Sequence, residues 1–182
     1  PLIPQKIAEG DCLVMIGNTK DELGGSEYYE YIHKFTGGNC PKVDFAESKM
    51  NMKSVLDLIK KDLLKVCHDC SKGGLAVAAS EICMTNQIGC QIMLEKVPGE
   101  KLTSDRTLFS ESHSRYLAVI EKKNIKKLEE ILQKNKVSYK LIGKFAGDKI
   151  QFNHGKKSLV DLSVDKAQKA WINSLGELVT HG

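Results

Sequence analysis

Three short segments of this chain concentrate residues whose types and spacing can do chemistry. The first is Glu22-Leu23-Gly24-Gly25-Ser26-Glu27. Paired glycines such as Gly24 and Gly25 let the backbone come close to a ligand, and a helix starting at Ser26 offers free N–H groups to an anion. The same residues also describe a glycine turn feeding a helix capped by the Ser26 hydroxyl. The second segment is Cys67-His68-Asp69-Cys70-Ser71-Lys72-Gly73-Gly74-Leu75. A short strand ends in an acid, and a glycine turn then opens a helix. Asp69 is thereby a candidate oxygen ligand for Mg2+, and Ser71, Gly73 and Gly74 are candidates to hold phosphate oxygens. An aspartate at such a turn equally serves as a cap.

The third segment is Leu108-Phe109-Ser110-Glu111-Ser112-His113-Ser114-Arg115. Glu111, Ser112, His113 and Arg115 at the start of a strand can read a polar substrate or stitch a turn, and Phe109 reads as core. No nucleophile–base pair is visible, which leaves covalent catalysis without support. The Cys67-x-x-Cys70 pair raises zinc and thiol-redox chemistry as alternatives. A structural zinc site needs four ligands, and Cys83 and Cys90 lie too far apart to form a second knuckle. Most of the six cysteines read as small buried apolar residues.

The elements that must position these segments follow from periodicity. Residues 10–17 form an apolar run bounded by glycines, a buried strand. A helix over 47–65 is predicted, with Met52, Val55, Leu56, Ile59 and Leu63 as its apolar face. The small-residue segment LAVAASEICMT predicts a helix lying close to a sheet, and IGCQIMLE a strand. Residues 97–112 read as a loop, 114–120 as a strand, and 124–135 as a surface helix with apolar positions 125, 128, 131 and 132. Three short strands follow, two of them joined by a tight turn at His154–Gly155. A last helix from Asp165 to about Leu178 is predicted to pack Ala167, Trp171, Leu175 and Leu178. Interspersed strands and helices define an α/β or α+β fold with a mixed sheet flanked by helices, in a single domain spanning 1–182.

Composition narrows the function classes. With 182 residues, 41% hydrophobic and 27% charged, the chain can bury a real core. The net charge of +4 comes from lysines mixed with acids along helices, so no clustered, aromatic-interleaved surface for nucleic acid exists. No stretch approaches the ~18 apolar residues that cross a bilayer, and no signal peptide is expected. Cytoplasmic localisation is expected. The start at Pro1 rather than Met reads as a cut from a longer polypeptide or as removal of the Met by processing.

Taken together, ELGGSEY, HDCSKGGL and LFSESHSRYL, in this order and at these separations, resemble the phosphoribosylformylglycinamidine synthase family, in the second C-terminal-type domain of its synthetase subunit. The resemblance is strongest over 7–164. It is shared more distantly with aminoimidazole ribonucleotide synthetase, selenophosphate synthetase, thiamine-monophosphate kinase and a hydrogenase maturation factor. It implies an aminoimidazole ribonucleotide synthetase C-terminal-domain-like fold, and an ATP-dependent carbon–nitrogen ligase. That ligase converts formylglycinamide ribonucleotide to its amidine, with ammonia drawn from glutamine, in purine synthesis.

The implied cofactors are Mg2+ and ATP or ADP. The implied partners are the N-terminal-type ATP-binding domains of the same synthetase, a glutaminase subunit and a small bridging subunit, or fused equivalents. The resemblance places the catalytic base and most ATP contacts in those N-terminal-type domains. It therefore implies no catalytic residue in this chain and no turnover by it alone. Asp69 becomes the metal candidate and Ser71 the nucleotide contact. Glu111, Ser112 and His113 align with the segment that holds substrate in the catalytic copy. Two residues depart from the family pattern: Lys72 stands where many relatives have a second aspartate, and His113 where many have glutamine. Lys72 opposes a divalent cation by repulsion, or itself supplies the counter-charge to phosphate. The competing readings are a purely structural docking module, a sibling of the superfamily, and a zinc or thiol protein.

Overall fold

The computed structural model describes residues 5–38 and 40–180, with side chains described to Asn173. Seven strands form one sheet in the order β2-β4-β1-β5-β3-β6-β7: β1 (Cys12–Ile16), β2 (Val66–Asp69), β3 (Cys90–Met93), β4 (Tyr116–Ile120), β5 (Tyr139–Phe145), β6 (Lys149–His154) and β7 (Lys157–Ser163). Neighbours run antiparallel except β3 and β6, which run parallel. The sheet is therefore mixed, as expected.

The central strands are buried on both faces, which is why they read as continuous apolar runs rather than alternating ones. Period-2 geometry still sorts their side chains. Leu13 and Met15 of β1 and Leu117 and Val119 of β4 join one core, with α3 (Gly74–Asn86), α4 (Ser104–Phe109) and α6 (Val164–Thr180). Cys12, Val14, Ile16, Ala118 and Ile120 join the other, under α2 (Phe45–Lys60) and α5 (Ile125–Lys134). Helix α3 presents Leu75, Ala78, Ala79, Ile82 and Cys83 to the first core, and its alanines allow the close approach to the sheet that its composition predicts. A seven-residue helix, α1 (Glu27–His33), buries no residue of its own.

Three expectations need correction. The segment 97–112 is not all loop: α4 lies within it, a helix too short for periodicity to reveal. Helix α2 runs over Phe45–Lys60 with Asp44 as its cap, and its buried face is displaced from the predicted one. Val55 is buried as predicted, but Met52 and Leu56 are exposed, and Asn51, Ser54 and Leu58 take the other buried positions. The reason is hydrogen bonding: Asn51 Nδ2 donates to the Ser114 carbonyl at 3.0 Å, and Asn135 Nδ2 donates to Ser54 Oγ at 2.9 Å. Polar residues with partners can occupy a buried stripe. In α6, Ala167 is buried but Trp171 is 56% exposed; Leu175 and Leu178 lie outside the described side chains. Among the described residues no helix is long and apolar enough to cross a membrane.

Candidate functional site

All three segments singled out in the sequence meet at one cleft. It measures about 450 Å3 and is lined by Gly24, Gly25, Cys40, Pro41, Asp69, Ser71, Lys72, Glu111, His113, Arg115 and their neighbours. Tertiary pairing brings them together. The β2–β4 ladder sets Asp69 opposite Tyr116, so the end of β2 and the start of β4 share a rim. The Glu22 carbonyl accepts from the Glu111 N–H at 3.0 Å and ties the first segment to the third.

The third segment is the scaffold of the cleft. Arg115 is 1% exposed. Its Nε donates to the Ser112 carbonyl at 2.9 Å, one terminal nitrogen to Thr19 Oγ1 at 3.2 Å, and the other to the Ser110 carbonyl. All three acceptors are neutral. Burial pulls the guanidinium pKa below its ordinary value, while Cys70, Glu22 and Glu111 act in the opposite direction. Ser112 is buried as well, and its hydroxyl accepts from the Lys20 N–H at 3.0 Å. Glu111 Oε1 accepts from two backbone N–H groups, Gly73 at 2.8 Å and Glu27 at 3.1 Å. One carboxylate thus holds the starts of α3 and α1 together, a charge-assisted arrangement suited to two helix N-termini. His113 is exposed at the rim.

In the first segment Ser26 caps α1 as predicted. Its buried hydroxyl donates to the Leu23 carbonyl at 2.7 Å and accepts from the Tyr29 N–H at 3.3 Å. The Gly25 N–H donates to the Gly37 carbonyl, so the loop carrying Cys40 and Pro41 folds against Gly24 and Gly25.

The second segment is arranged differently. Asp69 is exposed, and no hydrogen bond to its carboxylate occurs among the described residues. Ser71 is exposed beside it. Lys72 Nζ lies 2.7 Å from Glu27 Oε1, a pair at the cleft mouth whose hydrogen bond raises the lysine pKa. Gly73 and Gly74 both have positive φ, 72° and 60°. A Cβ on Gly74 would sit 2.4 Å from the Ser110 carbonyl oxygen, so only glycine lets α3 begin against the third segment.

Sequence reasoning missed Cys40 and Pro41 as lining residues; they belong to a loop that only chain reversal brings to the cleft. The cysteine alternatives lose ground. Burial pushes the Cys67 thiol up to about 12 and Cys70 up to about 11, which opposes the thiolate that redox and zinc chemistry need. Among the described residues no group of three or more His, Cys, Asp or Glu is placed to hold a metal ion.

Fold and cleft define a class: an α/β module with a polar cleft lined by a strand-end acid, a glycine turn and a serine-rich strand start. A family model described as AIR synthase related protein, C-terminal domain, matches residues 8–154, and this chain belongs to that family. It is 34% identical over 178 residues to the phosphoribosylformylglycinamidine synthase subunit PurL of Methanocaldococcus jannaschii, covering 98% of this chain and 24% of that protein. The chain thus spans about a quarter of the length of this relative. Among solved structures, T. maritima PurL complexed with FGAR superposes with a TM-score of 0.80 at 19% identity, covering 90% of this chain and 28% of that one. T. maritima PurL complexed with ATP gives 0.73 at 18%, covering 91% and 27%. At such identities the likeness to the solved structures is one of fold.

Proposed function

We propose that this chain is the second C-terminal-type module of a phosphoribosylformylglycinamidine synthase, a cytoplasmic ATP-dependent carbon–nitrogen ligase of purine synthesis. The observation that carries the reading is the meeting of all three family segments at one cleft. The match to part of a PurL subunit over 98% of this chain supports it. The complete enzyme would use ATP to activate the formamide oxygen of formylglycinamide ribonucleotide and ammonia to displace the phosphate. A glutaminase subunit and a small bridging subunit, or fused equivalents, would deliver the ammonia.

In this reading the chain's residues bind and position. Asp69, Ser71 and Lys72 carry the polar side chains that face the cleft from the glycine turn. Magnesium commonly uses one or two carboxylates together with phosphates and water, and Asp69 fits that minimal share. Glu27 and Glu111 are already engaged by Lys72 and by backbone N–H groups. When bound, the ion would neutralise phosphate charge. Glu111, Ser112 and Arg115 would keep the strand start in place, with His113 at the rim.

The test is ADP release by the intact gene product, supplied with formylglycinamide ribonucleotide, ammonia and Mg-ATP. Substrate-dependent release supports the reading. A folded, intact protein that releases none sinks it and leaves only the family fold. The structural-module reading has one specific observation in its favour: Ser26, Glu111, Ser112 and Arg115 spend their hydrogen bonds inside the chain.

A further inference from the structure

The segment that joins α1 to α2 supplies Cys40 and Pro41 to the lining of the cleft, yet it has no core of its own. Among its described residues, over 34–44, none is buried. Few buried apolar contacts mean little local stability, so the course of this segment rests on a few polar ties. The Gly25 N–H donates to the Gly37 carbonyl at 2.9 Å. Five residues further on, the Lys42 N–H donates to Glu22 Oε1 at 2.9 Å. Cys40 and Pro41 lie between these two ties. There the stretches pack backbone on backbone, since a Cβ on Gly38 would sit 3.0 Å from the Gly24 Cα.

Glu22 is itself anchored to the scaffold of the cleft. Its N–H lies 2.9 Å from the Lys20 carbonyl and 3.3 Å from Ser110 Oγ, and donates to both. Its carbonyl accepts from the Glu111 N–H at 3.0 Å. The backbone is thus fixed to the serine-rich strand start, while the side chain reaches the segment that lacks a core. A carboxylate accepting from a backbone N–H makes a charge-assisted bond, stronger than the neutral one at Gly37. The other carboxylate oxygen, Oε2, is enclosed and makes no hydrogen bond among the described residues. The Lys42 N–H is therefore the partner through which this side chain acts.

We infer that Glu22 is a positioning residue for ligand binding: through the Lys42 N–H it holds the Cys40–Pro41 wall in place, and so sets the affinity of the cleft for a nucleotide phosphate. The choice of ligand rests on the synthase reading. Glu22 does not line the cleft, so it acts through the segment rather than by touching the ligand. A wall held in its binding position beforehand spares the ligand the cost of ordering it. Affinity then falls in proportion to the fraction of molecules in which that wall is formed.

Alkylation of Cys40 by N-ethylmaleimide in the intact gene product, read by peptide mass spectrometry, reports on this cleft, because Cys40 lines it and is the one exposed thiol among the described residues. Mg-ADP, the probe, should slow that alkylation. In Glu22→Ala the half-protecting ADP concentration should rise about tenfold, the scale of one lost hydrogen bond to a charged group. Hydrogen exchange at the Lys42 amide should accelerate in the same variant, with the amides of β1 and β4 exchanging as before. Glu22→Gln keeps an acceptor for the Lys42 N–H and should stay within about twofold of the wild type in both readings. An unchanged half-protecting concentration in Glu22→Ala overturns the inference. So does a Glu22→Gln protein as weak as Glu22→Ala, or a wild type in which Mg-ADP leaves Cys40 unprotected. Faster exchange throughout the sheet in Glu22→Ala overturns it too, because Glu22 would then be a general stabiliser. Failure of the synthase reading is seen separately, as absence of substrate-dependent ADP release from a wild-type protein whose Cys40 is still protected by Mg-ADP.

Discussion

The stretches 110–115 and 69–72 both contribute to the same cleft, yet, His113 aside, they treat their polar groups in opposite ways. In the first stretch the serine hydroxyls, the Glu111 carboxylate and the Arg115 guanidinium all face inward to named partners. In the second, Asp69 and Ser71 stand in solvent, and Lys72 holds only Glu27 across the mouth. A buried polar group without a partner is costly, so a wall that must hold its shape satisfies its groups internally. A wall that meets a ligand leaves groups unspent. The contrast separates a hydrogen-bonded scaffold from an open polar surface within one small region.

The sharpest way to break the contrast is at the seam between the two walls. Gly74→Ala forces a Cβ to 2.4 Å from the Ser110 carbonyl oxygen at a φ of 60°, and should cost about 3 kcal/mol or more of folding stability, read by denaturant unfolding. A near-neutral result would mean that α3 and the serine loop move apart freely. Next in size, Arg115→Met removes three donors from buried acceptors. It should cost roughly 2–4 kcal/mol by the same measurement. Equal stability would show that the guanidinium is not part of the scaffold.

Glu111→Gln keeps the shape but removes the charge that two N–H groups share. A loss of about 1 kcal/mol is expected in thermal unfolding. Asp69→Ala should have the smallest effect on stability, within ~0.5 kcal/mol, because the side chain is exposed and unbonded. Titration calorimetry should nevertheless show weaker Mg-ADP binding at this cleft in the intact gene product. Unchanged binding would move Asp69 to the scaffold side of the comparison.

The three chemical segments, the Ser26 cap, the buried first strand and the mixed sheet were all legible in the sequence. Each is a local signal: a glycine pair, a hydroxyl before a helix, or an apolar run whose length suits a strand. Helix α4 and the true face of α2 were not. A six-residue helix has too few turns for a period to show. The buried face of α2 depends on Asn51 reaching Ser114 and on Ser54 meeting Asn135, contacts across 63 and 81 positions of chain.

By itself, the sequence determined which residue types stand at the turns and strand ends, and through them the family. Chain order and short-range sterics are enough for that. Tertiary structure decided which of those polar groups are already spent and which remain open. It also brought Cys40 and Pro41 to the cleft and left Met52 and Leu56 of α2 facing outward. Hydrogen-bond satisfaction and burial are properties of neighbours in space, and neither is encoded in spacing along the chain.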